Sequence, residues 1–422
     1  MGSRGSRGRP KILAPFGVRD FTLYWTARTF SFLGDGVMSV ALPWQVYELS
    51  NSPAAMGVVG AIQTASIFVF VLLGGVASDR IERKRVMIAS DLARGVAGGA
   101  AGVLAIGGWL ELWHLGLVVV VFGIGQGFSG PARGSIVPQL VPEELLVQAN
   151  SALFTVNSLT MRFLGPAIGG VIIAAAGAGA AFAVDGASFL IAALTIAFVS
   201  ARPAARLLDE GERRTIVQDI REGAGYVRKR VWLWGTLTWM FIAFPFTTAP
   251  YVVLLPYLVK NDFGGDSQSL GLIFAAGGVS AIVTSLVISQ VSLPRSHTAF
   301  MYTMLGFGVF DLVAYALAQA AWQAMVIAFV AEACLTSGVI VWNTLLQKAV
   351  PAEMLGRVRG LEWLAAFGLT PLAYVVVGQL ADHVGARSVM AAFGLAGVAL
   401  TAAVYRLPGM RETEGQIRLS TV

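Results

Sequence analysis

The sequence predicts an all-α integral membrane protein of twelve transmembrane helices arranged as two six-helix bundles. Three observations lead there. Hydrophobic residues make up 56% of the 422-residue chain and charged residues only 13%, with a mean hydropathy of +0.71, whereas a soluble domain carries about 25% charge. Apolar windows of the length a bilayer core demands, roughly 20 residues per helix, recur about twelve times. The one long polar connection, 202–230, leaves six of these windows on either side.

In chain order, a basic tail (1–19) precedes a bundle at 20–201, with apolar cores at 21–46, 54–77, 86–108, 115–138, 146–175 and 180–200. The tail lacks a short apolar stretch ending in a cleavage site, so it reads as retained and not as a signal peptide. The linker 202–230 sets Ile216, Ile220 and Val227 near helical spacing with charges between them. That pattern fits an amphipathic helix on the inner leaflet or a solvated tether. A second bundle follows at 231–407, with cores at 231–258, 268–291, 298–319, 323–346, 357–380 and 387–406, and then a tail at 408–422.

Lys and Arg set the orientation. With the first tail inside, cytoplasmic segments hold 25 of the 30 basic residues, Arg133 among them; outer loops hold only Lys260 and Arg387, and Arg28, Arg94 and Arg162 fall within crossings. This is the positive-inside bias, and it places both termini in the cytoplasm of a cell whose plasma membrane the chain spans. The net charge of +6 is thus a signal of topology. Its bases are spread among loops and form no patch for nucleic acid. One cysteine, Cys334, and three scattered histidines, His114, His297 and His383, offer neither a disulfide nor metal-ligand spacing. No nucleophile turn or phosphate-binding loop stands in the chain, so no enzyme, cofactor or metal is expected.

Two stretches repeat at an offset of 209: "VPEELLVQANS" at 141–151 and "VPAEMLGRVRG" at 350–360, with Gly169 falling on Gly378. Parallel repeats of six crossings are a transporter design with the substrate site near the midplane. Between the second and third cores, "GGVASDRIERKR" (74–85) packs six charges into a short hairpin. Its Gly75, Asp79, Arg80, Arg83 and Lys84 match the loop 2–3 signature of the major facilitator superfamily, which the chain resembles over about 20–406; Glu82 stands where that signature has glycine. "RFLGPAIGG" (162–170) resembles the fifth-helix antiporter motif through Gly165, Pro166, Gly169 and Gly170. "FSGPARGSIVPQLVPEELLVQANS" (128–151) and "LPWQVYELSNSP" (42–53) resemble the macrolide-efflux and enterobactin-exporter branch. In the fourth-helix signature Gln126 and Gly127 match, while Gly123 occupies the arginine position.

A charge at mid-bilayer costs about 2.5–3.5 kcal/mol on insertion scales, so each one invites a functional reading. Arg28, Ser31, Asp35 and Ser39 recur at helical spacing, a polar stripe expected to face the bundle interior. Asp35 reads as a coupling or substrate carboxylate, or as a strut paired with Arg162. Glu332, Thr336, Asn343 and Gln347 form a like stripe on the tenth helix, where the resemblance implies an acidic coupling or cation-binding residue. Ser151, Thr155, Ser158 and Arg162 share a face of the fifth. Asp311 reads as structural, Asp185, Asp91 and Arg94 as local ion pairs or interfacial groups. Trp109, Trp113, Trp232 and Trp234 read as interfacial anchors. Trp239, Phe241, Phe244 and Phe246 read either as an aromatic cavity wall or as packing.

The resemblance implies a proton-coupled exporter of bulky, partly hydrophobic small molecules that works by alternating access as a monomer. Export of a self-made siderophore or antibiotic is the neighbouring reading; solute import and a membrane enzyme or receptor are more distant. In this scheme the charged hairpin gates the transition. Asp79 is expected to reach the helix start near 357–362, and Gly75 to let a helix come close.

Overall fold

The computed structural model describes residues 11–200, 216–291 and 295–415; the remaining tail and linker residues, and the side chains of Asp79, Arg80, Ile216 and Ile220, lie outside that description. The described residues are helical, with no strand among them. The helices are α1 (Arg19–Leu49), α2 (Pro53–Arg80), α3 (Arg83–Ile106), α4 (Leu112–Leu140), α5 (Leu146–Asn157), α6 (Gly165–Ala197), α7 (Ile216–Arg228), α8 (Val231–Asn261), α9 (Ser267–Ile288), α10 (His297–Leu317), α11 (Ala321–Ala349), α12 (Ala352–Phe367), α13 (Thr370–Val384) and α14 (Ala386–Tyr405).

Nine segments among the described residues are long and apolar enough to cross a bilayer. One of them, Glu143–Ala197, is 55 residues long and is turned at Gly177, whose φ of 80° and ψ of 166° leave the helical region for one that only glycine enters freely. α1 and α3 have the length, 31 and 24 residues, but the charged and polar side chains they carry dilute their hydropathy.

By proximity the chain forms two units, Met1–Ala41 with Ala65–Leu208, and Leu42–Thr64 with Asp209–Val422. In the first, Phe21, Tyr24, Met87, Ile136, Val137 and Ile196 build an apolar core from α1, α3, α4 and α6. α1 and α6 come into backbone contact on glycine. A Cβ on Gly165 would stand 2.6 Å from the Gly36 Cα, and one on Gly169 would stand 3.0 Å from the Val37 backbone. Between α5 and α6, Ser158–Leu164 form a π turn in which the Gly165 N–H reaches back to the Thr160 carbonyl. Pro166 explains the wide turn, since it has no N–H to close an ordinary one.

The second unit repeats this local design. Val350–Pro351 starts α12 as Val141–Pro142 starts the turn into α5, with Pro φ/ψ of −55°/145° and −58°/156°. Gly378 of α13, the counterpart of Gly169, likewise meets backbone: its Cβ would lie 2.6 Å from the Pro53 carbonyl oxygen and 3.2 Å from the Gly57 Cα. α7 docks on α12 through a 3.0 Å Arg357–Glu222 ion pair, and its Val227 is buried beside Trp232 and Val358. At Val227 the amphipathic helix therefore packs on protein, and Trp232, expected at an interface, is 5% exposed. Trp109 and Trp113, at 68% and 58%, are open. Trp239 is also no cavity wall: it is buried and donates to Thr401 Oγ1 at 2.7 Å.

Candidate functional site

Arg94 organises the polar interior of the first unit. It and Asp91, one turn apart on α3, are each 1% exposed. The guanidinium donates to Asp91 Oδ1, stands 3.9 Å from Asp35 Oδ1 of α1 and lies 4.0 Å over the Phe189 ring of α6. Gly125 of α4 gives it room, because a Cβ there would come within 3.0 Å of the Arg94 Cγ and Cδ. Two unit charges at such a distance attract by roughly 4 kcal/mol at an effective dielectric near 20. That is comparable to the cost of inserting one charge. Pairing, and not any single residue, makes this interior tolerable.

Among the described residues the cation at Asp35 is Arg94, whereas Arg162 is exposed on the π turn. The expected stripe on α1 also divides. Arg28 and Ser31 are buried, with Arg28 Nη1 donating to Ser31 Oγ at 3.0 Å and its guanidinium 4.2 Å over Phe32. The Asp35 side chain is 17% exposed, and Ser39 is open, donating to the Gly36 carbonyl at 2.7 Å. Sequence position groups Arg133 with loop bases, but α4 runs through it, and its charge acts on Arg28, Arg94, Asp35 and Asp91.

Asp185 of α6 is 0% exposed, and among the described residues neither of its carboxylate oxygens has a hydrogen-bond partner. It is neither the ion pair nor the interfacial group that its position suggested. The signal was present in the sequence: Asp185 is the one ionisable residue in the 33 of α6.

The second unit gathers a different set. Glu332 of α11 accepts from Thr336 Oγ1 at 3.4 Å and is an electrostatic neighbour of Asp311 and Tyr315 of α10. Asp311, read from sequence as a structural residue, thus lies in the field of the proposed coupling carboxylate. Among the described residues, the charged and phenolic groups acting on Tyr315 are Tyr251, Asp311 and Glu332, and the one acting on Asp311 is Glu332, with no Lys or Arg among them. Asn343, farther along α11, donates to the Val339 carbonyl at 2.9 Å.

At the charged hairpin, Arg83 donates to the Ser135 carbonyl at 2.9 Å and Lys84 to the Ala197 carbonyl at 2.8 Å. These bases complement the carbonyl-rich ends of α4 and α6. Close approach falls at Gly74, where a Cβ would lie 2.8 Å from the Phe128 Cα; one on Gly75 would meet nothing within 4 Å. Among the described residues the tight contact on this hairpin thus falls at Gly74. Arg357 and Glu362, near the end expected to meet Asp79, are engaged within their own unit: Arg357 with Glu222, and Glu362 with Arg359 at 2.7 Å and with Trp342 at 2.6 Å.

Comparison with known proteins places this arrangement. The chain is 26% identical over 394 residues to the multidrug efflux pump Tap of Mycolicibacterium fortuitum, covering 90% of this chain and 94% of that one. It is 28% identical over 360 residues to the enterobactin exporter EntS of Citrobacter koseri, covering 82% and 81%. Among solved structures, the nucleoside transporter NupG superposes with a TM-score of 0.74 over 92% of this chain and all of that one; at 12% identity the likeness is one of fold. A family model described as transmembrane secretion effector matches residues 11–419. The chain belongs to that family, a branch of the major facilitator superfamily, and is a multi-pass membrane transporter.

Proposed function

We propose that the protein exports bulky, partly hydrophobic small molecules from the cytoplasm, driven by inward proton flow and working by alternating access as a monomer. Similarity to a multidrug efflux pump over nine-tenths of the chain supports export. The observation that carries proton coupling is buried acid inside a transport fold: Asp35 is only partly exposed, Asp185 is fully buried, and Asp311 and Glu332 are neighbours. Carboxyl groups so placed gain or lose a proton as their access to water changes. The distribution of Lys and Arg supports a cytoplasmic membrane location with both termini inside. The test is uptake of candidate drugs into inverted membrane vesicles with and without a proton gradient. Uptake that ignores the gradient defeats the coupling reading, and gradient-driven extrusion of solute in the opposite sense defeats export.

A second reading, export of a self-made siderophore or secondary metabolite, is favoured by the 28% identity to an enterobactin exporter. A deletion strain that retains a metabolite its parent secretes would select it.

A further inference from the structure

The least explained group in the first unit is the side chain of Asp185. It is 0% exposed, and among the described residues both of its oxygens lack a hydrogen-bond donor. Glycines of two other helices press on it. A Cβ on Gly34 of α1 would stand 2.7 Å from Oδ1, and a Cβ on Gly98 of α3 would stand 3.2 Å from Oδ2. Two glycines thus leave a carboxyl-sized space between α1, α3 and α6. Burying an ionised carboxylate without donors costs several kcal/mol. A bound proton removes that cost, and the tight glycine walls leave no room for the several oxygen ligands a metal cation needs.

The surrounding charges suit this role. The charges that act on Asp185 are Asp35 of α1 and Arg94 of α3; Asp91 of α3 pairs with Arg94, Arg28 of α1 and Arg133 of α4 belong to the same charge cluster, and α6 has no ionisable group besides Asp185 itself. Arg94 is committed to Asp91 and Asp35. Asp35, partly exposed, adjoins Gly34, which touches Asp185. From this geometry we infer that Asp185 is the proton-binding group of the first unit, loaded through Asp35, and that Arg94 faces the negative charge left when the proton departs. The step is a plain proton transfer: the Asp185 O–H bond breaks, Asp35 or water takes the proton, and the Asp185 carboxylate keeps the electron pair.

This inference rests on the proton-coupled reading and is tested so that the two can fail separately. Full-length protein in sodium-free lipid vesicles is titrated with pH and followed by infrared difference spectroscopy. Ethidium efflux is measured in the same vesicles with and without a proton gradient. The wild type should show a protonated-carboxyl band that Asp185→Asn removes and Asp35→Asn retains, and gradient-driven ethidium flux in Asp185→Asn should fall at least about tenfold. Should Asp185→Asn fail to reach the membrane, Asp185→Glu takes its place and should shift the band instead of removing it. A band unchanged in whichever Asp185 variant is used, or full coupling in Asp185→Asn, overturns the role of Asp185 and leaves proton coupling standing. Wild-type flux indifferent to the proton gradient, or driven by an imposed sodium gradient in its place, overturns the coupling reading itself.

Discussion

The two units share a scaffold and differ in their buried charge. Each has a Val–Pro step with nearly the same proline dihedrals, at the turn into α5 and at the start of α12, and each brings a glycine, Gly169 of α6 or Gly378 of α13, onto the backbone of another helix. The first unit interleaves arginines with aspartates around Arg94. In the second, Asp311 and Tyr315 sit among acid and phenol groups. The Val–Pro steps and the glycine contacts are alike in kind while the buried charge differs, so substitutions at matching places should act alike where they touch packing and differently where they touch charge.

The largest contrast is expected at Arg94. Arg94→Gln strands Asp91 in the interior, and breaking a buried pair costs about 3–5 kcal/mol. Thermal unfolding of the purified protein should show a steep loss that no single change at Glu332 reproduces; an unaltered unfolding curve would mean that Arg94 does not hold the first unit's charges. Next come the carboxylates. Asp35→Asn and Glu332→Gln should each lower gradient-driven flux by at least about tenfold while normal amounts of protein reach the membrane, because an amide keeps the shape but carries no proton. If only one of the two responds, coupling belongs to that unit alone.

Packing changes should be smaller and matched. Gly165→Leu and Gly378→Leu force a side chain into backbone contact, at about 1–3 kcal/mol each. Both should slow transport without moving its pH dependence, and a shifted pH profile would show that the contact also tunes a titrating group. The smallest effect lies in the hairpin. Gly75→Ala should stay within about 0.5 kcal/mol of wild type, whereas Gly74→Ala, facing the Phe128 backbone, should be measurably worse in the same unfolding assay.

Much of this was legible from composition and periodicity. Apolar windows find helices well, because a crossing must be long and oily whatever it packs against. Gly165 and Gly169 were legible too, since small residues at four-residue spacing mark close helix contacts. The charge cluster was not. Helical spacing tells which residues share a face of one helix, but Arg94 meets Asp35 across two helices, and Asp185 joins them from a third. Arg133, counted with the inner bases, lies within α4, and its part in the charge cluster was not legible because a base inside a helix and a base in a loop look the same in one dimension. The stripe Arg28–Ser31–Asp35–Ser39 was drawn correctly as a line, yet exposure changes along it from buried at Arg28 to open at Ser39.

The arginine at the centre also has an evolutionary consequence. Its stem passes over Gly125, where a Cβ would stand 3.0 Å from the Arg94 Cγ and Cδ, so that a larger residue requires the arginine to give way. Positions 94 and 125 are therefore coupled. Across an alignment of relatives they should covary, a long base at the first accompanying glycine at the second, and a bulkier residue at the second accompanying a shortened side chain at the first. A lineage that crosses from one pairing to the other must do so by way of an intermediate that is either overfilled or missing its buried cation.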